Sequence, residues 1–204
     1  SGILADLRDS TRYLTGQPAL LQLAATMAAV NLLEIPALTV GIPVLVVQFL
    51  HKSDAALGLA QAVLSAGGIL GGVLAGTWFT RHPFRSGLPL LSGIGGVCAA
   101  MGLVLLVPPL AFGGLLALGF AVMAAAMLFN VWFFTQLQQR VPQAQLGRVT
   151  ACLTVLACLT QPLGQAAYGV LFQYWVTNPA VVLLGAGTLS ALVLSLLAAQ
   201  APSL

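Results

Sequence analysis

The sequence predicts an all-α membrane protein with six transmembrane helices, and three observations predict it. Of 204 residues, 59% are hydrophobic and only 5% are charged, whereas a soluble domain carries about 25% charged residues. The apolar residues gather into six runs long enough to cross a bilayer, which takes about 20 residues each. The breaks between the runs are short and either polar or proline-rich. Too few charges remain to clothe a water-facing domain, and no basic run suggests a nucleic-acid partner. Cys98, Cys152 and Cys158 all fall inside apolar runs, with no Cys-x-x-Cys spacing. They read as small packing residues rather than a disulfide or metal framework, and no metal or cofactor is expected.

Residues 1–17 read as a cytoplasmic or interfacial linker segment, either a polar stretch or short helix on the inner face or a disordered tail, followed by a transmembrane domain over 18–204. The spans are expected at about 19–50, 55–80, 87–107, 109–138, 146–175 and 179–199. "HKSD" (51–54) and "RHPFRSG" (81–87) supply charge, Pro and Gly for the first two breaks. Pro108 and Pro109 make the third, "QQRVPQAQLGR" (138–148) the fourth, and "TNP" (177–179) the fifth. Arg8, Arg12, Arg81, Arg85, Arg140 and Arg148 all lie on one side of the membrane, and Lys52 alone lies on the other. By the positive-inside bias, both termini are cytoplasmic.

Asn, Gln and Glu are shared unevenly among the spans. The first holds Gln22, Asn31, Glu34 and Gln48, and the second holds Gln61. The fourth holds Asn130 and Gln136, and the fifth holds Gln161, Gln165 and Gln173. Polar groups at membrane depth must face protein or water. Spans one, two, four and five are therefore expected around a polar interior, with three and six facing lipid. Two inner helices followed by one outer, twice over, is the hydropathy symmetry of an inverted three-plus-three repeat.

Glu34 is the one ionisable residue between Leu20 and Leu50. The first span is roughly 48 Å long at 1.5 Å per residue, longer than the ~30 Å hydrocarbon core. Pro36 and Pro43 favour a bend, and their missing N–H groups free the carbonyls of Leu32 and Thr39. Steps of three and four from Met27 put Asn31, Glu34 and Gln48 on one face. That face is expected to line a cavity, with Glu34 exchanging a proton or meeting a cationic substrate. Gln61, Asn130, Gln161 and Gln165 are further neutral candidates for its lining. Gly68, Gly72 and Gly76 have the small-xxx-small spacing that lets helices approach. Pro162 and Gly164 open and thin the fifth span. Arg81, Arg85, Arg140 and Arg148 are candidates for a cytoplasmic gate.

Two stretches carry a resemblance. "LQQRVPQAQLGRVTACLTVLACLTQPLGQAAYGVL" (137–171) holds Val141-Pro142, Leu146-Gly147-Arg148-Val149, Pro162-Leu163-Gly164 and Gly169. "GGILGGVLAGTWFTRHPFRSG" (67–87) holds Gly72, Gly76, Arg81 and Arg85, with Gly76-Thr77 where a loop signature has an acid. Together they resemble the C-terminal six-helix half of a major facilitator superfamily transporter, most like its macrolide-efflux and enterobactin-exporter group. The resemblance implies half of a twelve-helix fold in the bacterial inner membrane. It implies a partner, either an N-terminal six-helix half or a second copy, and a substrate cavity between the two. The expected function is export of drug-like or amphipathic small molecules against protons. A non-transporting membrane scaffold or receptor is the alternative. No enzyme is expected: His51 and His82 lie on opposite sides of the membrane, and no HExxH, GxSxG or phosphate-binding Gly-Lys-Ser/Thr motif occurs.

Overall fold

The computed structural model describes residues 16–81 and 88–199, without the side chains of 78–81, 88–91 and 198. Arg85 and most of the predicted cytoplasmic segment 1–17 lie outside the described residues, as does the Arg81 side chain. Six helical stretches run through the rest: α1 (Pro18–Phe49), α2 (Asp54–Arg81), α3 (Leu88–Val104), α4 (Pro108–Arg140), α5 (Gln143–Tyr174) and α6 (Pro179–Ala199). No strand occurs among the described residues. Five of the six are long and apolar enough to cross a membrane, and α3 contributes a shorter apolar stretch, Ser92–Val104. The chain is thus all-helical, with the character of a multi-pass membrane protein. α3 stops at Val104 rather than 107 because the chain must turn ahead of Pro108 and Pro109, and a residue before proline disfavours helix.

α1 is the irregular helix. Its winding changes from α (Pro18–Ala29) to π (Val30–Glu34), returns to α (Ile35–Thr39 and Gly41–Pro43), then is π again (Val44–Phe49). Both changes lie beside the two prolines. Pro36 offers no N–H to the Leu32 carbonyl, and its ring crowds the preceding turn. A wider turn relieves this: the Ile35 N–H donates five residues back, to the Val30 carbonyl. Near Pro43 the chain breaks step at Val40, whose φ is -96°. It leaves the second π stretch with the Leu50 N–H on the Leu45 carbonyl at 2.8 Å. His51, at φ 49°, turns the chain out of the helix.

The helices pack through small residues. A Cβ on Gly67 or Gly71 of α2 would strike the backbone carbonyl of Phe120 or Ala124 on α4. Gly95, Gly102 and Gly187 bring α3 and α6 equally close, with a Cβ on Gly102 2.8 Å from the Ala180 carbonyl. Close backbone approach through such residues is how membrane helices associate without a hydrophobic driving force. The contact between α2 and α4 is made through Gly67 and Gly71. By contrast, Gly68 and Gly76 have nothing within 4 Å, and Gly72 makes ordinary contact with Met127. Outward faces carry Ile69, Leu159, Leu163 and Leu192, each at least 62% exposed, as a bilayer requires.

Gly164 on α5 makes the tightest approach to α1. A Cβ there would stand 2.5 Å from the Leu32 carbonyl oxygen and 2.6 Å from Pro36 Cγ. Neither a backbone nor a pyrrolidine ring can swing aside. Gly164→Ala is expected to lower stability by about 1–3 kcal/mol, the cost of overpacking, read as a fall in melting temperature in detergent.

Candidate functional site

A cleft of about 240 Å³ opens between α1, α2, α4 and α5. α1 supplies Met27, Val30, Asn31 and Ile35, and α4 supplies Met123, Met127, Phe129, Asn130 and Phe133. Gly68 of α2 and Ala157 of α5 complete the wall. Gly68 leaves room where a side chain would otherwise fill the space. The Asn31 amide donates one N–H from Nδ2 to the Met27 carbonyl at 2.9 Å, which leaves its second N–H and its Oδ1 for other partners. Asn130 is exposed there. Phe129 stacks at a tilt on Trp132 and Phe133, with centroids 5.7 and 6.0 Å apart. Flexible thioethers beside rigid aromatic rings make an adaptable apolar surface, and the two amides give it direction.

Glu34 looks elsewhere. It is 2% exposed, and its Oε1 accepts a 2.7 Å hydrogen bond from the Ser190 hydroxyl of α6. Its Oε2 is buried with no hydrogen-bond partner among the described residues. Tyr168 of α5 donates to the Leu33 carbonyl at 2.5 Å. The π stretch of α1 is thus held by α5 through Tyr168 and Gly164, and by α6 through Ser190.

No family model, curated protein or solved structure matches this chain. None of these comparisons supports the superfamily resemblance, which is a reading of the residues alone.

The expected shared face of Asn31, Glu34 and Gln48 is not what forms. Asn31 lines the cleft, Glu34 turns to α6, and Gln48 is exposed. The expectation assumed uninterrupted α winding. π turns advance each residue by a smaller angle, so steps of three and four no longer stack. Asn31 and Asn130 are brought together, as is Gln165 with Thr39, where Nε2 and Oγ1 stand 3.4 Å apart. Gln61 is exposed and Gln161 half-buried, and neither lines the cleft. Arg140 is bonded along its own helix to Gln136 Oε1 at 3.2 and 3.3 Å. Arg148 is exposed at the start of α5. Pro162 faces outward on α5, and Pro43 is half-buried.

Ser190, which bonds Glu34, is absent from the expected site residues, because that expectation marks the inner helices by Asn, Gln and Glu alone. α6 is not simply lipid-facing: Leu183, Ser190 and Leu194 are all buried. Their spacing of seven and four puts the hydroxyl on the helix's apolar inner face. That spacing was the available signal.

A second, apolar groove of about 420 Å³ lies between α1, α5 and α6 along Leu33, Tyr168, Trp175, Val182 and Leu189. It is larger than the cleft, but the Tyr168 hydroxyl is spent on the Leu33 carbonyl, which leaves the Trp175 indole as the polar side chain among its lining residues.

Proposed function

We propose that this chain is one half of a secondary active transporter of the major facilitator type, exporting amphipathic small molecules in exchange for protons. The observation that carries the reading is the division of labour on α1. The π segment Val30–Glu34 gives Asn31 to an open cleft and Glu34 to a buried contact with Ser190. An intramembrane acid is a functional group by default. An unpaired buried charge is costly, and Oε2 has no partner to offset that cost. The carboxyl therefore carries a proton at rest and releases it when the surrounding helices part. The cleft holds the ligand. Its open side meets the second six-helix unit, either an N-terminal half or another copy of this chain. The setting is the bacterial inner membrane, with both termini cytoplasmic.

The test is accumulation of a fluorescent amphipathic dye in cells producing the full-length protein. Producing cells are expected to retain less dye than controls, and an uncoupler that collapses the proton gradient removes the difference. Glu34→Gln keeps the shape and removes the titrating proton, so its cells should load dye like the controls. Undiminished, uncoupler-sensitive export by Glu34→Gln would sink the proton role.

A further inference from the structure

The π segment of α1 has a hollow on either side. The cleft of about 240 Å³ lies against Val30, Asn31 and Ile35. The groove of about 420 Å³ lies against Leu32 and Leu33. Close-packed interiors give way only by displacing their neighbours. A segment bordered by two hollows can change its winding with far less disturbance.

Contacts from α5 and α6 hold the winding as it is. Gly164 and Tyr168 stand one turn apart on α5 and meet successive carbonyls of α1. Gly164 comes so near that a Cβ would stand 2.5 Å from the Leu32 carbonyl oxygen. The Tyr168 hydroxyl donates to the Leu33 carbonyl. From α6, the Ser190 hydroxyl donates to Glu34 at 2.7 Å. Gly164 gives contact without a bond, and Ser190 holds only a side chain. Tyr168 holds the backbone itself, at the carbonyl next to Glu34. Tyr168 and Leu33 also line the groove, so there is room beside their bond for the two to part.

Regular winding of 30–34 has a definite consequence. Three α steps of about 100° leave Asn31 and Glu34 about 60° apart, on one face. The carboxyl then leaves Ser190 and turns to the side of the Asn31 and Asn130 amides. Asn31 has one N–H left after its bond to Met27, and Asn130 carries two. A carboxylate can accept from these donors, whereas the Ser190 station leaves Oε2 without a partner.

Resting on Glu34 as the proton carrier proposed above, we infer that Tyr168 is a positioning residue: its bond to the Leu33 carbonyl keeps Val30–Glu34 in π winding, and release of that bond lets the segment wind as α and carry Glu34 from Ser190 to the cleft. There the carboxyl O–H breaks, the proton passes to water, and the carboxylate is held by the amide N–H groups. Return of a proton sends the neutral carboxyl back to Ser190.

The experiment times contact between Glu34 and water in the reconstituted protein. The C=O stretch of a protonated carboxyl shifts when deuterium replaces its proton, and the rate of that shift is followed after transfer to deuterated buffer. The band is assigned to Glu34 by its absence in Glu34→Gln. Tyr168→Phe keeps the ring and removes the hydroxyl, and it should speed the exchange about three- to fivefold. Gly68→Leu fills the cleft; added to Tyr168→Phe, it should bring the exchange back to the parent rate. A helix that Tyr168→Phe had merely loosened would exchange quickly whether or not the cleft was filled. If Tyr168→Phe exchanges at the parent rate, Tyr168 does not hold Glu34 in place and the inference is wrong. If its exchange is fast and stays fast with Gly68→Leu, Glu34 does not pass to the cleft, and the change of winding is wrong. If the parent shows no band that Glu34→Gln removes, Glu34 carries no proton, and the reading beneath the inference fails instead.

Discussion

Gly71→Leu is expected to leave little folded protein. The added side chain meets the Ala124 backbone of α4, and backbone cannot rotate out of the way. Overpacking costs about 1–3 kcal/mol where side chains can adjust; here α2 and α4 must separate along their length, so the effect lies at or above that range. Gly67→Leu, against the Phe120 carbonyl, should behave alike. Gly68→Leu is the contrast. Nothing lies within 4 Å of its Cβ position, so stability should hold within about 0.5 kcal/mol. The new side chain enters the cleft, and dye export should fall. Size-exclusion profiles and thermal melting in detergent separate the two outcomes. Equal melting of Gly71→Leu and Gly68→Leu would contradict the packing described for α2 and α4.

Glu34→Lys is the second large effect. An ammonium group at this depth costs about 2.5–3.5 kcal/mol on insertion scales. The Ser190 hydroxyl that bonds Glu34 is neutral and cannot balance the ammonium's charge. Loss of the monodisperse protein is expected. Glu34→Gln should melt close to the parent, because its amide oxygen still accepts from Ser190 and polar contacts in a membrane protein average only about 0.6 kcal/mol. A fold that tolerates Lys at position 34 as readily as Gln would mean that the site is wetter than its 2% exposure indicates.

The helical, membrane-spanning character was legible because it rests on composition and run length, which tertiary contacts do not alter. The cleft was legible in part. Asn31 and Asn130 were expected on inner helices, and they do share a wall. What the pattern hid was the winding of α1. Pro36 and Pro43 announced a disturbance, but two quite different outcomes, a simple kink or π turns, follow from the same missing N–H groups. The π turns decide which way Glu34 faces, and so they separated it from Asn31. Packing was hidden for a different reason. Gly67, Gly68, Gly71, Gly72 and Gly76 offer two overlapping small-residue stripes, and only the neighbouring helix selects one. Ser190 was hard to single out because a lone hydroxyl in a span such as "GAGTLSALVL" is ordinary, since serine can satisfy itself on its own backbone, and its spacing from Leu183 and Leu194 was the one mark it carried.

The central claim is that Glu34 and the cleft are coupled through the π segment of α1. Infrared difference spectroscopy of the reconstituted protein in deuterated buffer tests it most directly. A protonated carboxyl held in an apolar site gives its own C=O stretch, and Glu34 is the only acid inside the described spans, Asp54 standing exposed at the start of α2. The account predicts such a band in the parent and its absence in Glu34→Gln. A saturating amphipathic dye of the kind exported should shift or remove the band in the parent protein but leave it unchanged in Asn130→Leu. A Glu34 band that is present but indifferent to a bound ligand would contradict the coupling.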